Sequence, residues 1–278
     1  MKNILKIMLM MITIFTIAGS AVYAAEIPVS DQDQLITSRD WTEISNLQDE
    51  MKKEEPDATI DYDKALKVYV DCNLIKLQTA DTKKLTSALE SANYVWVIPF
   101  KMEKTYGMFT VAKGLPLSEE AKSVLTKAEQ EEVKNHAGKW MITEIAEHTV
   151  EPYYDILLEK REALSDCTRV VLVGSQPGMR QPVALGMDDE TARIWISLGY
   201  QYPVMEKIPE TQNVESGVYS FDSVAEISDT YIEDSEVSTG VGVQSRSSMK
   251  YVAGIGIIVI GSILILSVLK KKKLEDYE

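Results

Sequence analysis

Between residues 25 and 209 the apolar positions change period repeatedly, and each change predicts an element. Trp41, Ile44, Leu47 and Met51 recur every three or four positions, behind Ser38 and Asp40 and ahead of Pro56. That spacing predicts a helix with one docked face. Residues 66–70 alternate and read as a strand, with 74–77 continuing it after a bend. Asp81 is placed to cap a helix through Leu85, Ala88 and Leu89. The β-branched and aromatic runs 94–100 and 106–111 predict a hairpin.

Further on, Ser118 opens a helix whose inner face is Val124, Leu125, Ala128 and Val133, with Gly138 near its end. Residues 139–147 fit both periods, since Trp140, Ile142, Glu144 and Ala146 alternate while Met141, Ile145 and His148 suit a helix. Pro152 opens a helix through Leu157, Leu158 and Leu164, and three short strands follow at 169–174, 183–187 and 192–198. Strands and helices mix without a regular βαβ alternation. The expected class is therefore α+β, a largely antiparallel sheet with packed helices.

The pattern breaks at both ends of the chain. Lys2 and Lys6 precede an apolar run over 7–18, and in Val22-Tyr23-Ala24 the residues Val22 and Ala24 suit the −3 and −1 positions of a cleavage site. This reads as a signal peptide over 1–24, cut between Ala24 and Ala25. From Tyr251 to Leu269 there are 19 residues without a charge, followed at once by Lys270, Lys271, Lys272 and Lys273. A helix of that length crosses about 30 Å of hydrocarbon, and the lysine block holds its far side in the cytoplasm. The reading is a transmembrane helix over 250–269 and a cytoplasmic tail over 270–278. A wall-sorting signal is not matched, because Val237-Ser238-Thr239-Gly240 lacks a Leu-Pro pair and the tail runs on past the lysines.

Charge divides what lies between. From 210 to 249 eight acidic residues face Arg246 alone, among many serines, threonines and glycines, which predicts a disordered acidic stalk. Within it, 219–221 and 224–227 are apolar enough to add a short strand to a partner or to the domain's own edge. The expected extracellular domain is 25–209. The whole chain has 278 residues, 43 acidic against 29 basic, and a net charge of −14, the opposite of a phosphate-backbone binder. Nucleic acid is not an expected partner. The lipid bilayer is one, through the C-terminal helix, and the exported domain is left to contact a protein, a peptide or a cell-wall component.

Candidate chemistry is sparse. Cys72 and Cys167 are the two cysteines, and export places them where disulfides form. Each lies at the end of a predicted strand, so a bridge implies antiparallel neighbours; two buried free thiols are the bland alternative. Glu144-Ile145-Ala146-Glu147-His148 differs from an H-x-x-E-H zinc pattern by Glu144 in the first histidine's place, and His136 is the only other imidazole. Ordinary surface residues explain it better, and no metal or cofactor is expected. The acidic pairs Asp31/Asp33 and Asp61/Asp63 and the run Asp188-Asp189-Glu190 lack the spacing of an EF-hand loop. The pattern supports a single-pass plasma-membrane protein with its N-terminal domain outside. That domain reads as a binding, sensing or interaction module, with a membrane-tethered hydrolase using carboxylates as the alternative.

Overall fold

A computed structural model describes residues 27–232, apart from 149, 150, 175, 180 and 201. Its centre is a ten-stranded sheet built on β1 (Thr59–Ile60), β2 (Leu66–Tyr69), β3 (Tyr94–Lys101), β4 (Tyr106–Lys113), β5 (Trp140–His148), β6 (Arg169–Val173), β7 (Val183–Met187), β8 (Ala192–Ser197), β9 (Asn213–Glu215) and β10 (Val218–Ser220). The order across it is β5-β4-β3-β2-β6-β7-β8-β10-β9, with β1 beside the far half of β3. Two antiparallel halves, β3-β4-β5 and β6-β7-β8, run outward from β2. That strand is antiparallel to β3 and parallel to β6, and every other pairing is antiparallel.

Alternation along these strands fills both faces of the sheet, as period 2 requires. On one face Tyr69, Val171, Val173, Leu185 and Trp195 form a core closed by α3 (Thr82–Glu90) and α7 (Phe221–Ile232). The same face carries a second core of Trp96, Ile98, Phe100, Phe109 and Ile142 under α1 (Trp41–Ile44) and α2 (Gln48–Glu54). Tyr94 packs against both. On the opposite face Leu66, Val68, Val97, Leu172, Ala184 and Ile196 are covered by Tyr153 and Leu157 of α6 (Tyr153–Glu159) and by Leu164 and Cys167. The fold is mixed α and β, with helices on both faces of a largely antiparallel sheet.

Several local expectations change. Residues 75–77 form a 3-10 turn in place of a continued strand, because Asp71 takes φ +57° and turns the chain after β2. The helix opened by Ser118 is two helices, α4 (Glu119–Val124) and α5 (Lys127–His136). Thr126 breaks it by adopting extended backbone and forming a capping box with Glu129, so both nearby orphan donors are satisfied. The ambiguous 139–147 stretch is a strand.

The stalk expected from residue 210 is folded as far as 232. β10 pairs with β8, and Val218, Phe221 and Val224 are buried at spacings of three that dock the start of α7. Acidic composition averaged over forty residues masks that apolar face. The rest of the expected stalk, the signal peptide with Ala24 and Ala25, and the membrane run with Tyr251, Leu269 and Lys270 to Lys273 lie outside the described residues. No helix among the described residues is long and apolar enough to cross a membrane.

The expected Cys72–Cys167 bridge is not formed; both are free thiols. The two strands they flank are neighbours, β2 and β6, but parallel ones, with Tyr69 beside Val173. Cys72 follows the end of β2 while Cys167 precedes the start of β6, so at least about 15 Å of strand separates them. They also belong to cores on opposite faces. A disulfide needs Cα atoms within about 7 Å. Burial pushes each thiol up to about 11.

Candidate functional site

The densest group of ionisable side chains lies where the two halves of the sheet meet. Lys67 and Tyr69 of β2 share a face with Trp96 and Tyr94 of β3, because the antiparallel register sets Lys67 against Trp96 and Tyr69 against Tyr94. The Lys67 ammonium stands 4.7 Å from the Tyr94 ring centre, 5.3 Å from Trp96 and 5.6 Å from Tyr69. Three aromatic rings around one buried cation recover part of its desolvation cost.

Two carboxylates complete the cluster. Asp33, 2% exposed, sits in a 3-10 turn (Asp31–Asp33) and accepts from Ser30 Oγ at 2.6 Å, Tyr69 Oη at 2.7 Å and Arg169 at 3.0 Å, with Lys67 Nζ 3.4 Å away. Asp40, just before α1, accepts from Tyr94 Oη at 2.8 Å and Trp96 Nε1 at 3.1 Å. Burial works to raise the Asp33 pKa, yet the Ser30 and Tyr69 hydroxyls and the Arg169 guanidinium together hold it below the usual carboxylate range. Burial lowers the Lys67 pKa against the opposing pull of Asp33. The directions agree once sharing is counted: one carboxylate serves two cations, so Asp33 is well compensated and Lys67 is not.

The cluster pairs its charges internally, with the exposed Arg39 at its rim 3.8 Å from Asp40. Its two carboxylates, ammonium and guanidinium face one another beneath α1 and the N-terminal turn, an arrangement that fixes how the two halves of the sheet join. The sequence signal for it was the alternation of β2, in which Lys67 occupies the position a solvent-facing residue takes in a one-sided sheet. What alternation alone does not reveal is that this sheet is covered on both faces.

A second ionisable position lies at the sheet edge. Glu144 of β5 faces Thr110 of β4 in register, with Thr110 Oγ1 at 3.5 Å from Oε2, beyond the usual reach of a hydroxyl bond. Burial raises its pKa, weakly opposed by the Thr110 hydroxyl. Tyr153 Oη and Tyr200 Oη, 3.2 Å apart, lie close enough to feel its charge.

The zinc-like spacing of Glu144 and His148 is that of a strand, in which four residues span about 13 Å, too far for one ion. The acidic loops are engaged locally. Asp188 accepts from the Glu190 and Thr191 amides at 2.8 and 2.6 Å and pairs with Arg193 at 2.8 Å, while Asp189 accepts from Thr168. Among the described residues no group of three or more metal-ligating side chains comes together. Gln176, in the turn after β6, is 1% exposed and bonds the Leu74 amide and the Cys72 and Gly174 carbonyls, a structural latch between β2 and β6.

Comparison with family models, with curated proteins and with solved structures finds no match to this chain.

Proposed function

We propose that the chain is a single-pass cell-surface protein whose exported α+β domain binds, senses or contacts another molecule outside the plasma membrane. The observation that carries this reading is the 19-residue uncharged run Tyr251 to Leu269 set against four lysines, downstream of an export signal. The domain would hang from that helix by whatever remains of the acidic spacer after α7. Its own ionic cluster, Asp33 with Lys67 and Arg169, is spent on joining the sheet, which favours a recognition surface over a catalytic centre. Fractionation tests the anchor: the full chain stays with membranes through alkaline extraction, and a chain ending at residue 249 is released to the medium.

Glu144 favours the second reading, a tethered hydrolase, in one respect: a carboxylate whose pKa is raised by burial is a general-acid candidate. Hydrolysis by paired carboxylates requires a second carboxylate across a cleft from it. A hydrolytic activity of the exported domain lost in Glu144→Gln would establish that reading in place of the first.

A further inference from the structure

The two edges of the sheet differ. At one end β9 is three residues long, while at the other β5 runs nine residues and among the described residues pairs with β4 alone. A long edge presents unpaired amides and carbonyls to any extended segment beside it, and natural edges are commonly blunted by lysine, proline or a bulge. β5 contains no lysine and no proline, only a bulge at Thr143, between the Val111–Ile142 and Thr110–Glu144 pairs. Beyond the bulge, Glu144 to His148 keep regular register with Thr110 to Tyr106. This stretch carries Glu144 and Glu147, and among the described residues neither forms an ion pair.

From these observations we infer that the β5 edge is a docking site for an extended cationic peptide segment of a partner protein, added to the sheet as a further strand. The inference rests on the binding-module reading above and names its partner class. Main-chain bonds to the edge supply the affinity. A neighbouring strand sets a side chain about 5 Å from each edge residue, so a lysine or arginine falls opposite Glu144 on one face and another opposite Glu147 on the other. Because the two glutamates are three residues apart, the matching cations are three apart as well, whether the strand adds parallel or antiparallel. A cation opposite Glu144 also favours its charged form against the burial that raises its pKa. The net charge of −14 attracts such a segment before it docks.

The probe is an end-blocked heptapeptide, Thr-Lys-Val-Thr-Lys-Val-Thr, with a permuted control of equal composition whose lysines are two apart and therefore on one face. Both are added to the full chain in neutral detergent, and hydrogen exchange is followed by mass spectrometry. The expected result is slowed exchange in the segment 140–148 with the first peptide and at least about three-fold weaker binding of the control. The double variant Glu144→Gln, Glu147→Gln, isosteric with the native chain, should remove that preference and keep its native exchange pattern elsewhere. Equal binding of both peptides, protection elsewhere than β5, or no binding overturns the inference. Any of these leaves the anchored-module reading intact, since that reading is tested separately by membrane extraction and by protease access from outside the cell.

Discussion

Lys67 stands 3.4 Å from Asp33, yet the stronger claim on that carboxylate belongs to Arg169 at 3.0 Å. The lysine also lies over the Tyr94 and Trp96 rings, 4.7 and 5.3 Å from their centres. The two cations should therefore differ in what their removal costs, and the anion should matter more than Lys67.

Asp33→Asn leaves Lys67 and Arg169 buried against a neutral amide. Loss of one partner from a buried ionic group costs about 3 to 5 kcal/mol. Lys67→Met keeps Asp33 bonded to Ser30, Tyr69 and Arg169 and puts a thioether among the rings, so its cost should stay below about 1.5 kcal/mol. Urea unfolding of the three chains checks the order, and a Lys67→Met penalty equal to that of Asp33→Asn would contradict it.

Acid stability follows from the same carboxylate. The folded pKa of Asp33 lies below its unfolded value. Its contribution is thus fully present above the unfolded value of about 3.9 and is lost as pH falls through the folded one. The wild-type domain should lose more stability than Asp33→Asn between pH 5 and the acid limit of folding. Parallel pH profiles for the two chains would show that Asp33 does not titrate this way.

Gly107 of β4 lies under the Phe100 ring, and a Cβ there would meet the ring at 2.1 Å. Gly107→Ala should destabilise by about 1 to 3 kcal/mol by forcing that ring from its place. Thermal unfolding measures it, and an unchanged midpoint would mean that the ring has room to turn.

Cys72 and Cys167 should both react with an alkylating agent when the unreduced protein is denatured, and added reductant should leave its melting temperature unchanged. Mass spectrometry showing neither thiol labelled would contradict the parallel pairing of β2 and β6.

What could be read from the sequence depended on how local its cause was. The Asp81 cap, the 94–111 hairpin and the three strands after residue 168 each rest on residues a few positions apart, and each stands. The placement of Cys72 against Cys167 depended on the direction in which β6 returns beside β2. Strand ends alone do not carry that information, so adjacency was inferred correctly and orientation was not. The ionic cluster joins residues 33, 67 and 169, which come together only when the sheet assembles. Lys67 and Glu144 both looked like ordinary polar positions on alternating strands, and only the layers over the two faces distinguish them.

The domain expected outside the membrane, 25–209, carries 32 acidic and 21 basic residues. Such a surface is repelled by anionic lipid within a Debye length of about 8 to 10 Å. The exported domain freed of its membrane segment should stay in the supernatant when phosphatidylglycerol vesicles are sedimented at low salt without calcium. Tight co-sedimentation would mean that a basic face turns toward the bilayer.

Protease treatment of intact cells or protoplasts making the full chain with an epitope after Glu278 reads out the single-pass topology. The α+β domain should be digested from outside, while a small fragment holding residues 250–278 and the epitope remains protected until the membrane is opened. Survival of the intact chain in unbroken cells, or loss of the epitope before lysis, would contradict that topology.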